Sequence, residues 1–316
     1  MSRRLQISFS GGETSAYLVY WMLRNRPDYD DVIVTFANTG QENEATLEFI
    51  HRCDLYFGFK TVWLEGVQNH GVRQTPTPKV VTFATASRDG TPFLDAISKY
   101  GIPNNKYKHC TRSLKTTVME NHARSIGWAA GTYDTAIGIR SDEIDRVSTS
   151  ADKYRLVYPL AFAHPVTKPM INAFWSTQPF RLQLKGYQGN CKWCWKKSDR
   201  KLFTIMAESP EVFDFPRKME QEFPRFGPEF KKDTPKPADY SRVFFRSNRS
   251  TDDMFRDYHA ALDSGRFTPA LDDAAPVDFD PSLDLGGGCE ESCEVYADED
   301  ETYLAEEKGR DCEVAR

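Results

Sequence analysis

The stretch Ser8-Phe9-Ser10-Gly11-Gly12-Glu13-Thr14-Ser15 lies near the start of the 316-residue sequence and decides the predicted fold. It follows an apolar-alternating run, residues 5–9, that is typical of a β-strand. Residues 16–24 contain no Gly or Pro and have the apolar spacing of a largely buried helix. The sequence therefore predicts a strand, a Ser/Gly turn and a helix in direct succession.

This turn has the chemistry of a phosphate site. Gly11 and Gly12 allow the backbone to turn tightly and to approach a ligand, and the N–H groups at the helix start point toward that ligand. Ser10, Thr14 and Ser15 add hydroxyl donors, and any of them is also a candidate helix cap. An ordinary capped turn between a strand and a helix is the alternative interpretation. No Lys follows the glycines, so the turn is not a Walker A loop, and its spacing is not G-x-G-x-x-G.

The turn resembles the pyrophosphate loop (PP-loop), S-G-G-x-[D/T/S]-S, of the N-type ATP pyrophosphatases. That superfamily includes phosphoadenosine-phosphosulfate (PAPS) reductases, tRNA thiolation enzymes and the ATPase of DNA phosphorothioation. Many members carry an Asp at the position of Thr14. The resemblance implies that the loop binds ATP, with Mg²⁺ neutralising phosphate charge, through Ser8, Ser10, Gly11, Gly12, Thr14 and Ser15.

A second strand-to-helix unit follows. Residues 31–37 form an apolar run of strand length and end in Asn38-Thr39-Gly40-Gln41-Glu42, before an amphipathic helix over 43–57. Ligands bind at the carboxyl ends of strands in open α/β sheets, although the turn could equally have no binding role. PAPS-reductase-like proteins have a similar turn beside the nucleotide. The resemblance therefore implies nucleotide contacts from Asn38, Thr39, Gly40 and Glu42.

A charged loop follows the strand predicted over residues 134–139. It reads Gly138-Ile139-Arg140-Ser141-Asp142-Glu143-Ile144-Asp145-Arg146, and on its own it could be a surface cluster of ion pairs that contributes little to stability. PAPS reductases have a similar G-x-R-x-x-E-x-x-R stretch. The resemblance favours contacts of Arg140 and Arg146 with the substrate or its phosphates.

Cys191 and Cys194 form a C-x-x-C pair, a spacing with which two thiolates can bind one ion. A zinc half-site, a redox pair, an iron–sulfur half-site and coincidence all remain open from the spacing alone. Cys110, preceded by His109, is a candidate distant partner. The iron–sulfur PAPS and adenylyl-sulfate reductases are similar, with a Cys-Cys pair ahead of a distant C-x-x-C. The resemblance implies a [4Fe–4S] cluster at Cys110, Cys191 and Cys194, with His109 or a tail residue as a further ligand and Zn²⁺ as the alternative.

Three further cysteines have different expected roles. Cys53 lies on the apolar face of the second helix and is predicted to be a core thiol. Cys289 and Cys293 flank a Glu-Glu-Ser stretch in an acidic, Gly-bearing tail, where a swinging ligand or a sulfur-carrying nucleophile is the hypothesis. Their acidic surroundings would raise their thiol pKa values unless the basic body supplies positive charge. The C-terminal Glu-Cys-Gly motif of assimilatory PAPS reductases is absent from the sequence.

The charge is unevenly distributed. The net charge is −5, but residues 271–316 hold 16 Asp/Glu against 3 Lys/Arg, which leaves a net charge of +8 on residues 1–270. Residues 181–249 hold 16 Lys/Arg against 9 acids, interleaved with aromatic residues. Cations beside aromatics suit nucleic acid, whereas a solvated face over buried rings is the alternative. No apolar run approaches a membrane span and the N-terminus does not resemble a signal sequence, so a cytoplasmic protein without membrane contact is expected.

The predicted fold is α/β: a doubly wound, mostly parallel sheet of the adenine nucleotide α-hydrolase (HUP) type with a C-terminal helical extension. Further strands are predicted over 59–64 and 156–160, and an additional one over 80–84, after a Pro-bearing loop. The expected organisation is a nucleotide-binding domain over 1–165, a basic helical region with the C-x-x-C over 166–270, and an acidic tail over 271–316.

The resemblance implies an ATP-dependent sulfurtransferase that adenylates a nucleic-acid or nucleotide acceptor and replaces oxygen by sulfur. The cluster or a cysteine persulfide would deliver the sulfur, and a sulfur-donating desulfurase or thioredoxin is the candidate protein partner. Three alternatives stay open: a thioredoxin-dependent PAPS or adenylyl-sulfate reductase, a zinc-containing ATP-dependent nucleobase-modifying enzyme, and a nucleotide-binding adaptor without turnover.

Overall fold

The computed structural model describes residues 3–25, 28–71, 74–227, 230, 236–238 and 240–272. At its centre lies a six-stranded sheet with the strand order β4-β3-β2-β1-β5-β6. All neighbouring strands in this sheet are parallel except β3 and β4, which are antiparallel. The strands are β1 (Arg4–Ser8), β2 (Asp31–Ala37), β3 (Val62–Val67), β4 (Thr77–Val81), β5 (Asp134–Ala136) and β6 (Leu156–Val157).

The helices begin and end at residues with the expected local chemistry. Gly58 adopts a left-handed conformation at the end of α2 (Glu44–Phe57), and the Ser198 and Ser250 side chains cap α8 (Asp199–Glu208) and α10 (Thr251–Asp263). A π-helical turn, Arg112–Thr116, connects α4 (His109–Thr111) to α5 (Thr117–Ser125). The helices are α1 (Glu13–Arg24), α2 (Glu44–Phe57), α3 (Thr91–Tyr100), α4 (His109–Thr111), α5 (Thr117–Ser125), α6 (Ala151–Tyr154), α7 (Lys168–Ser176), α8 (Asp199–Glu208), α9 (Asp214–Glu222) and α10 (Thr251–Asp263).

The sheet is covered on both faces, as the alternation of its side chains requires. Ile7 of β1 and Phe36 of β2 belong to an apolar cluster shared with α1, α2 and α7. Leu64 of β3 belongs to a second cluster, with Val118 and Met119 of α5. The architecture is therefore α/β with a doubly wound, mostly parallel sheet, which confirms this part of the predicted fold.

The strand order reverses between β1 and β5. The chain passes from β1 to β2 on one side of β1, and β5 is added on its other side. Such a topological switch point opens a crevice at the carboxyl ends of the two strands, where open α/β sheets bind ligands. The turn after β1 and the loop after β5 both begin at this crevice.

A third apolar cluster forms around the C-terminal helices. Trp193, Phe213 and Phe244 pack there with Phe93 of α3, and the ring centroids of Phe93 and Trp193 lie 5.3 Å apart. Trp175 of α7, in contrast, is packed in the first cluster. Packing therefore crosses the boundary predicted between residues 165 and 166.

None of the helices in the described part of the chain combines the length and the apolar character that a membrane span requires.

Candidate functional site

The turn after β1 is built around a backbone conformation that suits glycine. Gly11 has φ +90°, and a Cβ added to it would lie 2.5 Å from Thr46 Cγ2 and 2.9 Å from Ile50 Cδ1 of α2. Gly12 is the N-cap of α1 and has no side chain with which to cap it. The first turn of α1 is thus held against α2, with its N-terminal N–H groups at the switch point.

The hydroxyl groups of the turn divide into two roles. Ser15 Oγ donates to the Gly12 carbonyl at 3.0 Å and lies 2.9 Å from Ser10 Oγ, so Ser10 is the donor between the two hydroxyls. Thr14 Oγ1 accepts a hydrogen bond from Arg140, which leaves its own hydroxyl hydrogen to donate elsewhere. Ser8, predicted as part of the phosphate site, lies within β1 and contacts Met119, with Ser8 Oγ 4.0 Å from the thioether sulfur.

The carboxylate of Glu13 is directed into the protein. It is 4% exposed and accepts both hydrogen bonds of a bidentate pair with Arg181, at 3.0 and 2.9 Å. The backbone N–H of Leu182 donates to the same carboxylate at 3.2 Å. Because its charge is compensated in this way, Glu13 does not leave an unpaired negative charge at the start of the helix.

Arg140 joins the loop after β5 to the turn after β1. Its Nη1 donates to Thr14 Oγ1 at 3.2 Å, its Nε donates to Asp142 at 2.9 Å, and Nη1 lies 3.4 Å from a Glu143 oxygen. The residue is only 5% exposed. Arg146, the second predicted arginine, forms an ion pair with Glu143. The structure thus places Arg140 at the switch point and connects Arg146 to it through Glu143.

The turn after β2 is closed by its own side chains. The hydroxyl and the backbone N–H of Thr39 both donate to the Glu42 carboxylate, at 2.8 to 2.9 Å. Asn38 accepts from the Gly40 N–H at 3.2 Å and donates to Glu65 of β3 at 2.8 Å. These bonds give the turn a fixed shape, with Thr39 and Glu42 buried.

The segment that carries the C-x-x-C is paired with this turn. Glu42 and Cys191 form an antiparallel bridge, and the Lys192 N–H donates to the Gln41 carbonyl at 3.0 Å. Asn190 donates through Nδ2 to the Ser10 carbonyl at 3.0 Å. The cysteine segment therefore contacts both the turn after β1 and the turn after β2 through hydrogen bonds.

The three predicted metal-ligating cysteines line one cavity. Cys110 comes from α4, and Cys191 and Cys194 come from the segment paired with the β2 turn; all three are half-buried. The π-helical turn after α4 brings Leu114 and Lys115 to the same cavity, and π-turns within helices are frequent at functional sites. Thr39 and Glu42 also line it, so the cavity and the β2 turn share residues.

Three thiols around one cavity match the donors that zinc and iron–sulfur clusters prefer. Within the described residues, however, no group of three His, Cys, Asp or Glu side chains lies close enough together to hold one metal ion. The donor chemistry therefore fits such a group, whereas the side-chain positions are not those of an assembled site.

His109 does not line this cavity. Its Nε2 lies 2.9 Å from the Gly101 carbonyl and therefore carries the ring proton, while Nδ1 is buried without a hydrogen-bond partner in the described residues. Burial and the nearby Arg242 charge lower the pKa of His109 to about 3, so the ring is neutral at neutral pH. The predicted role of His109 as a fourth ligand stays a prediction.

The C-x-x-C turn contains an internal cation. Lys197 is 2% exposed, and its ammonium donates to the Cys191 carbonyl and to the Lys192 carbonyl, the latter at 3.3 Å. A hydrogen bond with Cys194, together with burial, raises the pKa of the Cys191 thiol, although the Lys197 charge acts in the opposite direction. As the turn stands, Cys191 is therefore a neutral thiol at neutral pH.

Several residues of the site were not predicted from sequence. Asn190, Arg181 and Lys197 make contacts that only the folded chain brings together, and the sequence around them offers no motif beyond their closeness to the C-x-x-C. Cys53 lies in the core with no exposed surface, as predicted. The predicted nucleophiles Cys289 and Cys293 lie outside the described residues.

Two curated proteins are similar to this chain. The uncharacterized nin region protein ORF290 of Escherichia phage lambda is 33% identical over 205 residues, which cover 62% of this chain and 67% of that protein. The uncharacterized protein MJ0066 of Methanocaldococcus jannaschii is 23% identical over 234 residues, which cover 71% of this chain but only 40% of the archaeal protein. No protein-family model matches the chain. The identity to the phage protein and the length it covers show that the chain belongs to the family of the phage lambda nin region protein ORF290.

Proposed function

We propose that the chain is a PAPS-reductase-like ATP pyrophosphatase, with a HUP-type fold, that activates an acceptor with ATP and then transfers sulfur to it. One observation carries the proposal: Thr39 and Glu42 belong to the turn beside the predicted nucleotide site and also line the cavity of the three cysteines. A nucleotide bound at the switch point would therefore lie next to the cavity of Cys110, Cys191 and Cys194.

The chain's own residues offer an environment for the nucleotide phosphates. The N-terminal N–H groups of α1, the Thr14 hydroxyl and the buried Arg140 guanidinium lie together at the crevice. As the bond between the α- and β-phosphates breaks, these donors would stabilise the negative charge of the leaving pyrophosphate. Mg²⁺ would be held largely by the phosphates themselves.

The cysteine cavity supplies the second half of the proposal. Cys110, Cys191 and Cys194 would hold an iron–sulfur cluster or zinc, or carry sulfur as a persulfide. When bound, a cluster would supply redox or sulfide chemistry, whereas zinc would fix the thiolates in position. Glu42, which lines the same cavity, would accept a proton from a thiol or from the acceptor.

The proposed acceptor is a nucleic acid. The segment 181–249 is rich in Lys, Arg and aromatic residues, and residues 1–270 together carry a net charge of +8. Phosphate contacts from Lys and Arg would supply a salt-dependent affinity for such an acceptor.

Pyrophosphate release from ATP, with Mg²⁺ and with single-stranded RNA or DNA, tests the proposal. We expect the wild-type chain to release pyrophosphate, Arg140→Gln to lose most of this activity, and Arg124→Gln, at an exposed position on α5, to retain it. Nucleotide binding without pyrophosphate release in the wild type would contradict the proposed reaction. Consumption of PAPS with thioredoxin, but not of ATP, would favour the reductase instead.

A further inference from the structure

Trp195, a residue that lines the cysteine cavity, has a buried hydrogen-bond donor that the proposed reaction does not use. Trp195, next to Cys194 in sequence, lines the cavity and is 3% exposed. Its indole Nε1 is buried and has no hydrogen-bond partner within the described part of the chain. A buried N–H without an acceptor costs free energy comparable to that of a lost hydrogen bond, so this arrangement needs an explanation.

Other buried tryptophans of the chain show what is missing. Trp193, two residues earlier and lining the same cavity, donates from Nε1 to Gln41 Oε1 at 2.6 Å. Trp175 donates to the Glu13 carbonyl at 3.0 Å, and Trp63 donates to Asp54 at 3.3 Å. Trp195 differs from these three because its N–H has no acceptor within the described residues, although its side chain lines the cavity of the three thiols.

The acceptor that suits this position is a sulfur atom. An indole N–H can only donate, and a neutral thiol is a weak acceptor, whereas a hydrogen bond to an ionised acceptor is about twice as strong as a neutral one. We propose that Trp195 Nε1–H donates a hydrogen bond to a negatively charged sulfur held in the cavity by Cys110, Cys191 or Cys194. Trp195 is then a positioning residue for the sulfur site.

Two sources could supply such a sulfur. One is a cysteine thiolate bound to a metal. The other is a persulfide, formed when a cysteine thiolate attacks an inorganic polysulfide. In that reaction a new S–S bond forms to the transferred sulfur, a polysulfide S–S bond breaks, and its electron pair leaves with the shortened polysulfide. The negative charge of the persulfide then resides on the terminal sulfur.

The inference rests on the sulfur half of the proposed function, but its test needs no nucleotide. The full chain, reduced and labelled with ¹⁵N-tryptophan, gives indole N–H signals from its six tryptophans, and comparison with Trp195→Phe assigns the signal of interest. One arm adds Zn²⁺ alone, and the other adds inorganic polysulfide alone. If Trp195→Phe does not fold, Trp→Phe changes at the other positions assign the signal by elimination.

We expect the Trp195 indole proton to move downfield and to exchange more slowly with water in at least one arm, and the arm identifies the source of the sulfur. Trp193→Phe, which removes an N–H already bound to Gln41, is the matched control and leaves this shift in place. In the zinc arm, Trp195→Phe should weaken Zn²⁺ binding by roughly 10-fold, as for other partners of metal ligands. No downfield shift in either arm overturns the inference, and pyrophosphate release from ATP would be unaffected by that result.

Discussion

Arg140 Nη1 donates a hydrogen bond to Thr14 Oγ1 across the switch point of the sheet, over a distance of 3.2 Å. The two residues are 126 positions apart in the sequence and stand at the carboxyl ends of adjacent parallel strands. The contact keeps a guanidinium, partly neutralised by Asp142 and Glu143, beside the start of α1. It is the geometry in which a helix N-terminus and an arginine act on one anion.

Replacing this arginine should weaken nucleotide binding. Arg140→Gln removes the charge beside the proposed phosphate site, and hydrogen bonds to charged groups contribute about 1.5–3 kcal/mol each, so we expect roughly 10- to 100-fold weaker ATP binding. Isothermal titration calorimetry with ATP and Mg²⁺ measures the change. Arg124→Gln, on the exposed surface of α5, is the control and should bind ATP as the wild type does. Equal affinities in the two variants would show that Arg140 has a purely structural role.

The conformation of Gly11 should make it intolerant of alanine. Gly11→Ala combines a strained backbone at φ +90° with overlap against Thr46, and each of these costs about 1–3 kcal/mol. Gly127→Ala is the matched control, because Gly127 has φ +84° and an added Cβ there meets no atom within 4 Å. Urea denaturation should show a larger loss of unfolding free energy for Gly11→Ala. Equal losses of unfolding free energy in the two variants would mean that the α2 side chains move away from the added Cβ without a measurable loss of stability.

Glu220 should make stability depend on pH. Its carboxylate accepts hydrogen bonds from the Phe244 and Thr251 N–H groups at 3.0 and 2.7 Å, while burial raises the pKa of Glu220 from 4.5 to about 7. Between these two values the folded state binds more protons than the unfolded state, so the unfolding free energy falls as the pH rises. The expected loss is on the order of 3 kcal/mol.

Urea unfolding between pH 5 and pH 8 tests this dependence. Glu220→Gln does not titrate and should flatten the pH profile. Glu222→Gln, which changes an exposed carboxylate on the same helix, should leave the profile as in the wild type. A profile that is unchanged by Glu220→Gln would assign the pH dependence to another group.

The crevice at β1 and β5 could be predicted because it depends on local patterns. A Ser/Gly turn, an apolar strand and a charged loop each have a recognisable sequence, and parallel strands bring their carboxyl ends together. The structure accordingly places Thr14 and Arg140 in contact. Strand β4 was predicted too late in the chain, at 80–84, because Pro78 suggested a loop. At the edge of the sheet a proline is tolerated, and β4 spans Thr77–Val81.

The attachment of the cysteine segment could not be predicted in the same way. The bond from Asn190 to the Ser10 carbonyl joins residues 180 positions apart, and the pairing of Glu42 with Cys191 is a single bridge without a strand pattern. Neither contact is accompanied by a hydrophobic periodicity or a motif that could be recognised in the sequence. The orientation of the His109 side chain could not be predicted from sequence either. Cys110, the next residue, lines the cavity, whereas the His109 imidazole contacts the Gly101 carbonyl.

The three cavity cysteines should be needed for metal binding. Anaerobically purified protein is expected to contain about four irons per chain, or one zinc in the alternative case, and each of Cys110→Ser, Cys191→Ser and Cys194→Ser should lose most of that metal. Cys53→Ala is the control because Cys53 lies in the apolar core. Metal analysis and visible absorption give the result, and equal metal content in Cys191→Ser and wild type would exclude the cavity as the binding site.

Asn190 should couple the turn after β1 to the thiols. Asn190 lies one residue before Cys191. Its Nδ2 donates to the Ser10 carbonyl at 3.0 Å, and its backbone carbonyl accepts from the Asn43 N–H at 2.9 Å. Ordering of the β1 turn by ATP should therefore restrain the cysteine segment and slow alkylation of Cys191 by iodoacetamide. Alkylation of Cys191 should in turn weaken ATP binding, although not by the same factor, because reciprocity holds for binding free energies and not for reaction rates.

Mass spectrometry of iodoacetamide-treated protein, with and without ATP, measures the protection of Cys191. Asn190→Ala removes the bond to Ser10 and should abolish most of the protection, at a cost of about 1 kcal/mol in stability. Asn121→Ala is the matched control, because the Asn121 amide donates to Thr75 and Pro76, at 3.1 and 2.7 Å, which belong neither to the turn after β1 nor to the cysteine segment. If ATP protected Cys191 equally in Asn190→Ala and in the wild type, the coupling would have to pass through the turn after β2, where Gln41 and Glu42 pair with the cysteine segment.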